Sequence, residues 1–464
     1  MNETSNNRFE RLLDAYAHAF QRWLPSPFSI AILLTFLAGA MALSFESPLG
    51  VLDAWTTGLW NPGLLRFGFQ AMFMLVLGHV LALAPPVLAM LRRAVDWVIL
   101  HPASAPAKVA ALSMALGWLN WGLGLIGGAI LVRGVLDRAK DRVHVGLLGA
   151  AGYTGLLVWH GGLSGSAPLK VAESGHLASL VPEAPWAETL PLAITLRETA
   201  LSSWSLAVTG TVMVAVTLLV WMLGRRLGKS SEWVATETMA PAPPKPDSGN
   251  GGWADRLDQR PWLPWALGLS TLVGAVVWAK ASGPLTDLAF VTPDWINMML
   301  LGLALVAHGE ARGLLHALDQ AIAGASGILI QFPLYFGIMG VVTGTGLGAW
   351  MAEGVVAAAS DTLLPLALFV SSGVLNVFVP SGGGQWAVQG PLVLEACHAL
   401  GVPLERGIMA MAFGDELTNM LQPFWALPLL GITGLSARDI LPFTLLIMLV
   451  AGTTMTVAML FWVG

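Results

Sequence analysis

Asp415 and Glu416 stand side by side in a stretch apolar enough to sit in a membrane. An ionisable side chain at the bilayer centre costs roughly 3 kcal/mol or more, so such residues face a polar interior and bind a proton, a cation or a partner side chain. Their neighbours are Gly414, Thr418, Asn419, Gln422 and Pro423, which are small, polar or helix-breaking. Upstream, Asn376 is followed by Pro380-Ser381-Gly382-Gly383-Gly384-Gln385. Pro380 lacks an N–H and clashes with the preceding helical turn. The three glycines each lower helix propensity by about 1 kcal/mol. Non-helical backbone at membrane depth survives only where protein or a water-filled cavity satisfies it. Broken helices of this kind are how transporters expose backbone groups to a solute or an ion.

The first half of the chain carries a fainter copy. Leu119-Asn120 precedes Gly127-Gly128 as Leu375-Asn376 precedes Gly383-Gly384, at the same spacing. Each half then has a second interrupted segment: Trp159-His160-Gly161-Gly162-Leu163-Ser164-Gly165-Ser166-Ala167-Pro168, and Gly414 to Pro423. Asn120 to Pro168 is 48 positions and Asn376 to Pro423 is 47, which favours duplication over chance. The candidate binding residues are therefore Asn120, Gly127, Gly128, Ser164, Gly165 and Ser166 in the first half. In the second they are Asn376, Ser381, Gly382, Gly383, Gly384, Gln385, Asp415, Thr418, Asn419 and Gln422. Their hydroxyls, amides and bare carbonyls suit a small hard cation, and helix N-termini suit an anion. Small residues also pack membrane helices against one another, and that reading competes at each glycine and serine taken singly. Asp415 could equally lie at a solvated interface, and His160 could titrate or simply hydrogen-bond inside the bundle. The tips carry no lysine or arginine and Lys170 is expected at the outer surface, so an anion would be held by N–H groups and hydroxyls rather than by a cationic clamp.

These residues need helices to carry them. Hydrophobic residues make up 55% of the 464 and charged ones 11%, against roughly 25% charged in a soluble domain. Runs such as Phe67–Leu91, Trp204–Leu223 and Leu441–Val463 approach the roughly 20 apolar residues that span a bilayer. They are continuous rather than alternating, which excludes a β-barrel. The fold class is all-α and polytopic, in the lipid bilayer. A net charge of −5 and no basic cluster exclude nucleic acid as a partner. The lone Cys397 excludes an internal disulfide. With no metal-ligand cluster, Walker motif or Gly-x-Ser-x-Gly elbow, the sequence calls for no cofactor and no enzyme activity.

The organisation follows. Residues 1–25 lack a signal-peptide core and put Phe9, Leu12, Leu13, Tyr16, Phe20 and Trp23 on one face, an amphipathic helix on the membrane surface. Residues 26–227 form a first repeat, 228–260 a Pro/Gly/Ser linker, and 261–464 a second repeat. Arg92, Arg93, Lys108, Arg133, Arg138, Lys140 and Arg142 flank the first broken segment, while 313–405 holds no lysine or arginine. Lysine and arginine collect on the cytoplasmic side. Ala103 to Val132 is too long for one span and too short for two, so a re-entrant hairpin is expected over about 103–135, with its tip at Asn120–Ile126. A second, over about 361–398, should enter from the opposite face. Spans are expected near 28–45, 67–91, 144–165, 203–224, 261–280, 295–310, 316–345, 405–430 and 439–463, with the amino terminus inside. Two opposed hairpins are the mark of inverted repeats.

Asn120-Trp121-Gly122, Gly162-Leu163-Ser164-Gly165-Ser166-Ala167-Pro168, Val379-Pro380-Ser381-Gly382-Gly383-Gly384-Gln385-Trp386 and Gln422-Pro423-Phe424-Trp425-Ala426-Leu427-Pro428 resemble the short-chain fatty acid transporter family, from about Phe20 to the carboxyl terminus except for the linker. The resemblance implies uptake of short monocarboxylates such as butyrate or acetoacetate across a bacterial inner membrane. It also implies kinship with the ion-transporter superfamily, whose paired hairpins move by an elevator-like mechanism. His160 stands where that pattern leads us to expect glycine, so coupling ion and chain-length preference do not carry over. The reading is a secondary transporter coupled to H⁺ or Na⁺, and a homodimer is compatible with it. A carrier for dicarboxylates or other small anions, and a passive anion channel, remain the alternatives.

Overall fold

A computed structural model describes residues 27–182, 184–227, 253, 260–285, 290, 292–348, 350, 359–378 and 382–461. The amphipathic segment 1–25, most of the linker 228–260, and Ser381 with its neighbours Val379 and Pro380 lie outside the described residues. Among the described residues the chain is helical, without a β-strand.

The first half runs through α1 (Pro27–Ala42), α2 (Pro48–Leu59), α3 (Pro62–Leu83), α4 (Pro85–Ile99), α5 (Ala105–Leu119), α6 (Trp121–Ala139), α7 (Val145–Tyr153), α8 (Ser166–Val171), α9 (His176–Leu180) and α10 (Ser203–Arg226). The second runs through α11 (Trp262–Ala281), α12 (Pro293–His308), α13 (Ala311–Gly344), α14 (Leu364–Phe378), α15 (Gly382–Leu400), α16 (Leu404–Thr418), α17 (Pro423–Thr433) and α18 (Ala437–Leu460). Among the described residues α10, α11 and α18 are long and apolar enough to cross a membrane unaided. Their outward side chains, such as Leu218, Val273, Val277 and Leu449, are more than half exposed. Water would oppose that exposure and lipid would not.

Two sets of helices sort out by packing. In one, α13 lies along α1, α2 and α3, and α12 bridges α3 and α11. In the other, α5 packs on α6, α7 and α10, α14 packs on α15 and α16, and α18 joins α10 to α7. The sets meet where α3 touches α6 and α13 touches α17.

Sequence and structure part at particular places. The expected span over 67–91 is divided, because Pro85 fixes its own φ and pushes Ala84 to an extended ψ of 139°, so α3 ends and α4 begins in another direction. Helix α2 was not expected; Ser47 caps it and Pro48 starts it. The first hairpin tip is narrower than Asn120–Ile126. The break is confined to Asn120, at φ −159° and ψ 128°, whose side chain caps α6 by accepting from Leu123 N–H at 3.0 Å. Gly127 and Gly128 therefore lie inside a helix. Arg133 is not a loop charge; it is buried on α6, paired with Asp137 at 2.9 Å, and donates to the Ile432 carbonyl in the last turn of α17.

Both helix pairs fold back on themselves. In the first, Gly117 lies against Gly124, and a Cβ on Gly128 would come within 2.1 Å of the Gly152 carbonyl oxygen, so α6 and α7 touch backbone to backbone there. In the second, the stitching is polar. Gln385 donates to Ser372, and Gln389 donates to Ser371.

Candidate functional site

The centre is built where the interrupted segments of the two halves cross. In the first, α7 tightens into a 3₁₀ turn over Thr154–Leu157 and gives way to turns until α8. In the second, α16 passes into a 3₁₀ turn over Asn419–Leu421 before Pro423 starts α17. Three contacts join them. Asp415 Oδ2 lies 2.7 Å from His160 Nδ1. Glu416 Oε2 accepts the backbone N–H groups of His160 at 2.8 Å and Gly161 at 3.2 Å. The Tyr153 hydroxyl lies 2.9 Å from the carbonyl oxygens of both Asn419 and Gln422.

His160 is fully buried and held from three sides. Its Nε2 accepts the Ala167 N–H at 3.0 Å, which assigns the ring proton to Nδ1 and makes His160 the donor to Asp415. Trp159 stacks on it with ring centroids 4.5 Å apart. Gly382, the first residue of α15, lies directly on this pair, and a Cβ there would meet both rings at 2.8 Å. A glycine is needed for the second helix pair to reach the first broken segment.

Beside the carboxylates, Asn376 Nδ2 is shared among the Asp415 carbonyl, Thr418 Oγ1 and Asn419 Oδ1 at 2.7–3.0 Å. Gln422 donates to the Asn376 carbonyl. The donors are thereby spent, and the acceptors are left over. Asn376 Oδ1, Gln385 Oε1, Asp415 Oδ1, Glu416 Oε1 and Gln422 Oε1 are buried with no hydrogen-bond partner among the described residues. Unpaired buried acceptors cost about 1–3 kcal/mol each. Oxygen atoms of this kind can take up a proton or a small hard cation. Among the described residues, no three His, Cys, Asp or Glu side chains gather to hold a metal ion.

One residue away, a cavity of about 710 Å³ opens. Ser164, Ser166, Gly382, Gly383, Gly384 and Asn419 line it from the candidate set. Its apolar wall includes Trp121, Leu156, Trp159, Met339 and Trp425, with Trp121 and Trp425 edge to face at 5.4 Å. Asn120, Gly165, Asn376, Gln385, Asp415, Thr418 and Gln422 do not line this cavity. Asn120 caps α6 and contacts Met74, Gly165 packs on the His160 carbonyl, Gln385 bonds Ser372 and Gln389, and Asn376, Asp415, Thr418 and Gln422 belong to the polar cluster described above. Gly127 abuts Leu116, so it and Gly128 serve helix contact.

Five participants lie outside the candidate set that the sequence marks: Glu416, His160, Tyr153, Lys170 and Arg66. Lys170 lines the cavity and pairs with Glu173 at 2.8 Å. Arg66 lines it too, paired with Asp294 at 3.2 Å, so cations do face this space. The available signal was spacing: Lys170 follows Ser166 by four residues, one helical turn.

A chain helical throughout its described residues, with lipid-compatible outer helices, crossed broken segments and an amphipathic cavity, is a polytopic membrane protein of the transporter class. The chain belongs to the short-chain fatty acid transporter family, whose model matches residues 8–462. A relative from Escherichia coli (strain K12), provisionally named a short-chain fatty acid transporter, is 32% identical over 94% of this chain and 96% of its own length. One from Haemophilus influenzae with the same provisional name is 32% identical over 91% of this chain and 93% of its own. Two solved structures are more distantly similar. MtrF of Neisseria gonorrhoeae, reported with a class of antimetabolite efflux pumps, aligns with a TM-score of 0.49 and 12% identity over 97% of each chain. The YdaH transporter of Alcanivorax borkumensis aligns at 0.41 and 16%, over 93% of this chain and 98% of that one.

Proposed function

We propose that this chain is a secondary active carrier that takes up short-chain fatty acid anions, such as butyrate or acetoacetate, across a bacterial inner membrane, coupled to H⁺ or Na⁺. Family membership over nearly the whole chain carries the substrate class. The cavity supports it physically, because tryptophan faces suit a short alkyl tail while Ser164, Ser166 and the glycine-rich start of α15 suit a carboxylate. The acceptor oxygens of Asp415, Glu416, Asn376, Gln385 and Gln422 supply the coupling site. Asn120, Gly127, Gly128, Gly165 and Thr418 shape or support it, and Ser381 is a further candidate binding residue by its type. In this reading the two helix pairs are re-entrant hairpins of inverted repeats. The set containing α5, α6, α14 and α15 travels as an elevator against the set containing α2, α3 and α13. A dicarboxylate carrier is the second reading, favoured by the two cations, Arg66 and Lys170, on one cavity. Counterflow of labelled butyrate in proteoliposomes tests both. Exchange blocked by acetoacetate and indifferent to succinate supports the first; exchange blocked by succinate supports the second.

A further inference from the structure

Resting on that reading, we infer that Lys170 is the cation that receives the substrate carboxylate, and that Glu173 is its built-in competitor. Lys170 Nζ contacts both oxygens of Glu173, at 2.8 and 3.1 Å. A carboxylate thus already sits on this ammonium, on a residue that also lines the cavity. Both side chains are over one-third exposed, at 39% and 36%, so the pair is of the weak, exchangeable kind. An incoming monocarboxylate of the same chemistry can take the place of Glu173. Lys170 lies one helical turn beyond Ser166 on α8, and both residues line the cavity. The acyl tail is then left to Trp121 and Trp159.

Arg66 is the rival cation, and it fits less well. Its partner Asp294 is held a second time by Gln70 at 2.6 Å, and Arg66 is 74% exposed, at the mouth of the cavity. A carboxylate there would gain only a solvent-screened contact.

The two residues of the Lys170–Glu173 pair should respond in opposite directions. If Lys170 binds substrate, Lys170→Gln raises the KM for butyrate uptake by about fivefold, the upper worth of a part-exposed ion pair. Lys170→Arg restores most of it. Glu173→Gln removes the competitor and lowers KM by several-fold, with kcat held within about twofold of the parent protein. If the pair only ties α8 to the following turn, both neutral variants weaken uptake alike, and equal KM increases overturn the inference. Unchanged KM in all three variants overturns it too. A parent protein that moves butyrate while the variants fail this pattern sinks the Lys170 assignment alone. A parent protein that moves no short monocarboxylate sinks the functional reading instead.

Discussion

Asp415→Asn separates charge from structure at the centre of the site. Because His160 Nε2 accepts the Ala167 N–H, its Nδ1–H points at Asp415 Oδ2. An asparagine offers a carbonyl oxygen in the same place, so the imidazole keeps a partner. The change trades a hydrogen bond to a charge, worth about 1.5–3 kcal/mol, for a neutral one worth about 0.5–1.5 kcal/mol. The expected loss of stability is about 1–2 kcal/mol, small enough for the protein to fold. Asp415→Leu instead strands the buried Nδ1–H and opens the polar cluster, and should fold worse by a further 1–3 kcal/mol or so. Transport should respond to charge rather than to fold. With Asn, butyrate driven by an imposed H⁺ or Na⁺ gradient no longer accumulates in proteoliposomes, while butyrate–butyrate exchange continues. Unchanged accumulation with unchanged dependence on both ions would refute a coupling role for Asp415. Loss of exchange together with accumulation, in protein of normal thermal stability, would make it a substrate residue instead.

The glycines separate packing from binding. Gly128→Val should abolish folded protein, because its Cβ meets backbone at Gly152, whereas Gly210→Ala, with nothing within 4 Å, should leave detergent-extracted yield unchanged. Gly383 faces the cavity, so Gly383→Val should fold normally on size exclusion and lose butyrate uptake. For topology, cysteines at the exposed positions Asp141 and Ser360 in a Cys397→Ser background should label from opposite faces; labelling from one face would end the inverted-repeat reading. Tyr153→Phe should lower the melting temperature in line with a loss of about 1 kcal/mol, through its link to the Asn419 and Gln422 carbonyls.

The helix-breaking residues were the legible part of this chain. Pro423 and the small residues of 161–166 mark interruptions that backbone chemistry decides locally, while the Gly382–Gly384 run is the first turn of α15 and packs against His160 and Trp159 through Gly382. Pro85 was as readable, and an apolar run across it hid the break between α3 and α4. The pairing of the two halves was not legible. Nothing in the spacing of His160 and Asp415, 255 residues apart, says that they touch. Tyr153 likewise reads as one aromatic in an apolar segment until the fold sets it against the second broken helix. Gly127 and Gly128 look like their counterparts Gly383 and Gly384. They lie well inside α6, whereas Gly383 and Gly384 are in the first turn of α15, because Asn120 supplies the extended residue and the cap at the start of α6.

The most direct measurement is accumulation of labelled butyrate by the purified protein in proteoliposomes carrying an imposed H⁺ or Na⁺ gradient, with an ionophore added at steady state. Uptake above the external concentration, collapsing on ionophore addition and exchangeable against unlabelled butyrate, is the expected result. Equilibration that never exceeds the external concentration under either gradient, or no uptake at all, would contradict a coupled short-chain fatty acid carrier.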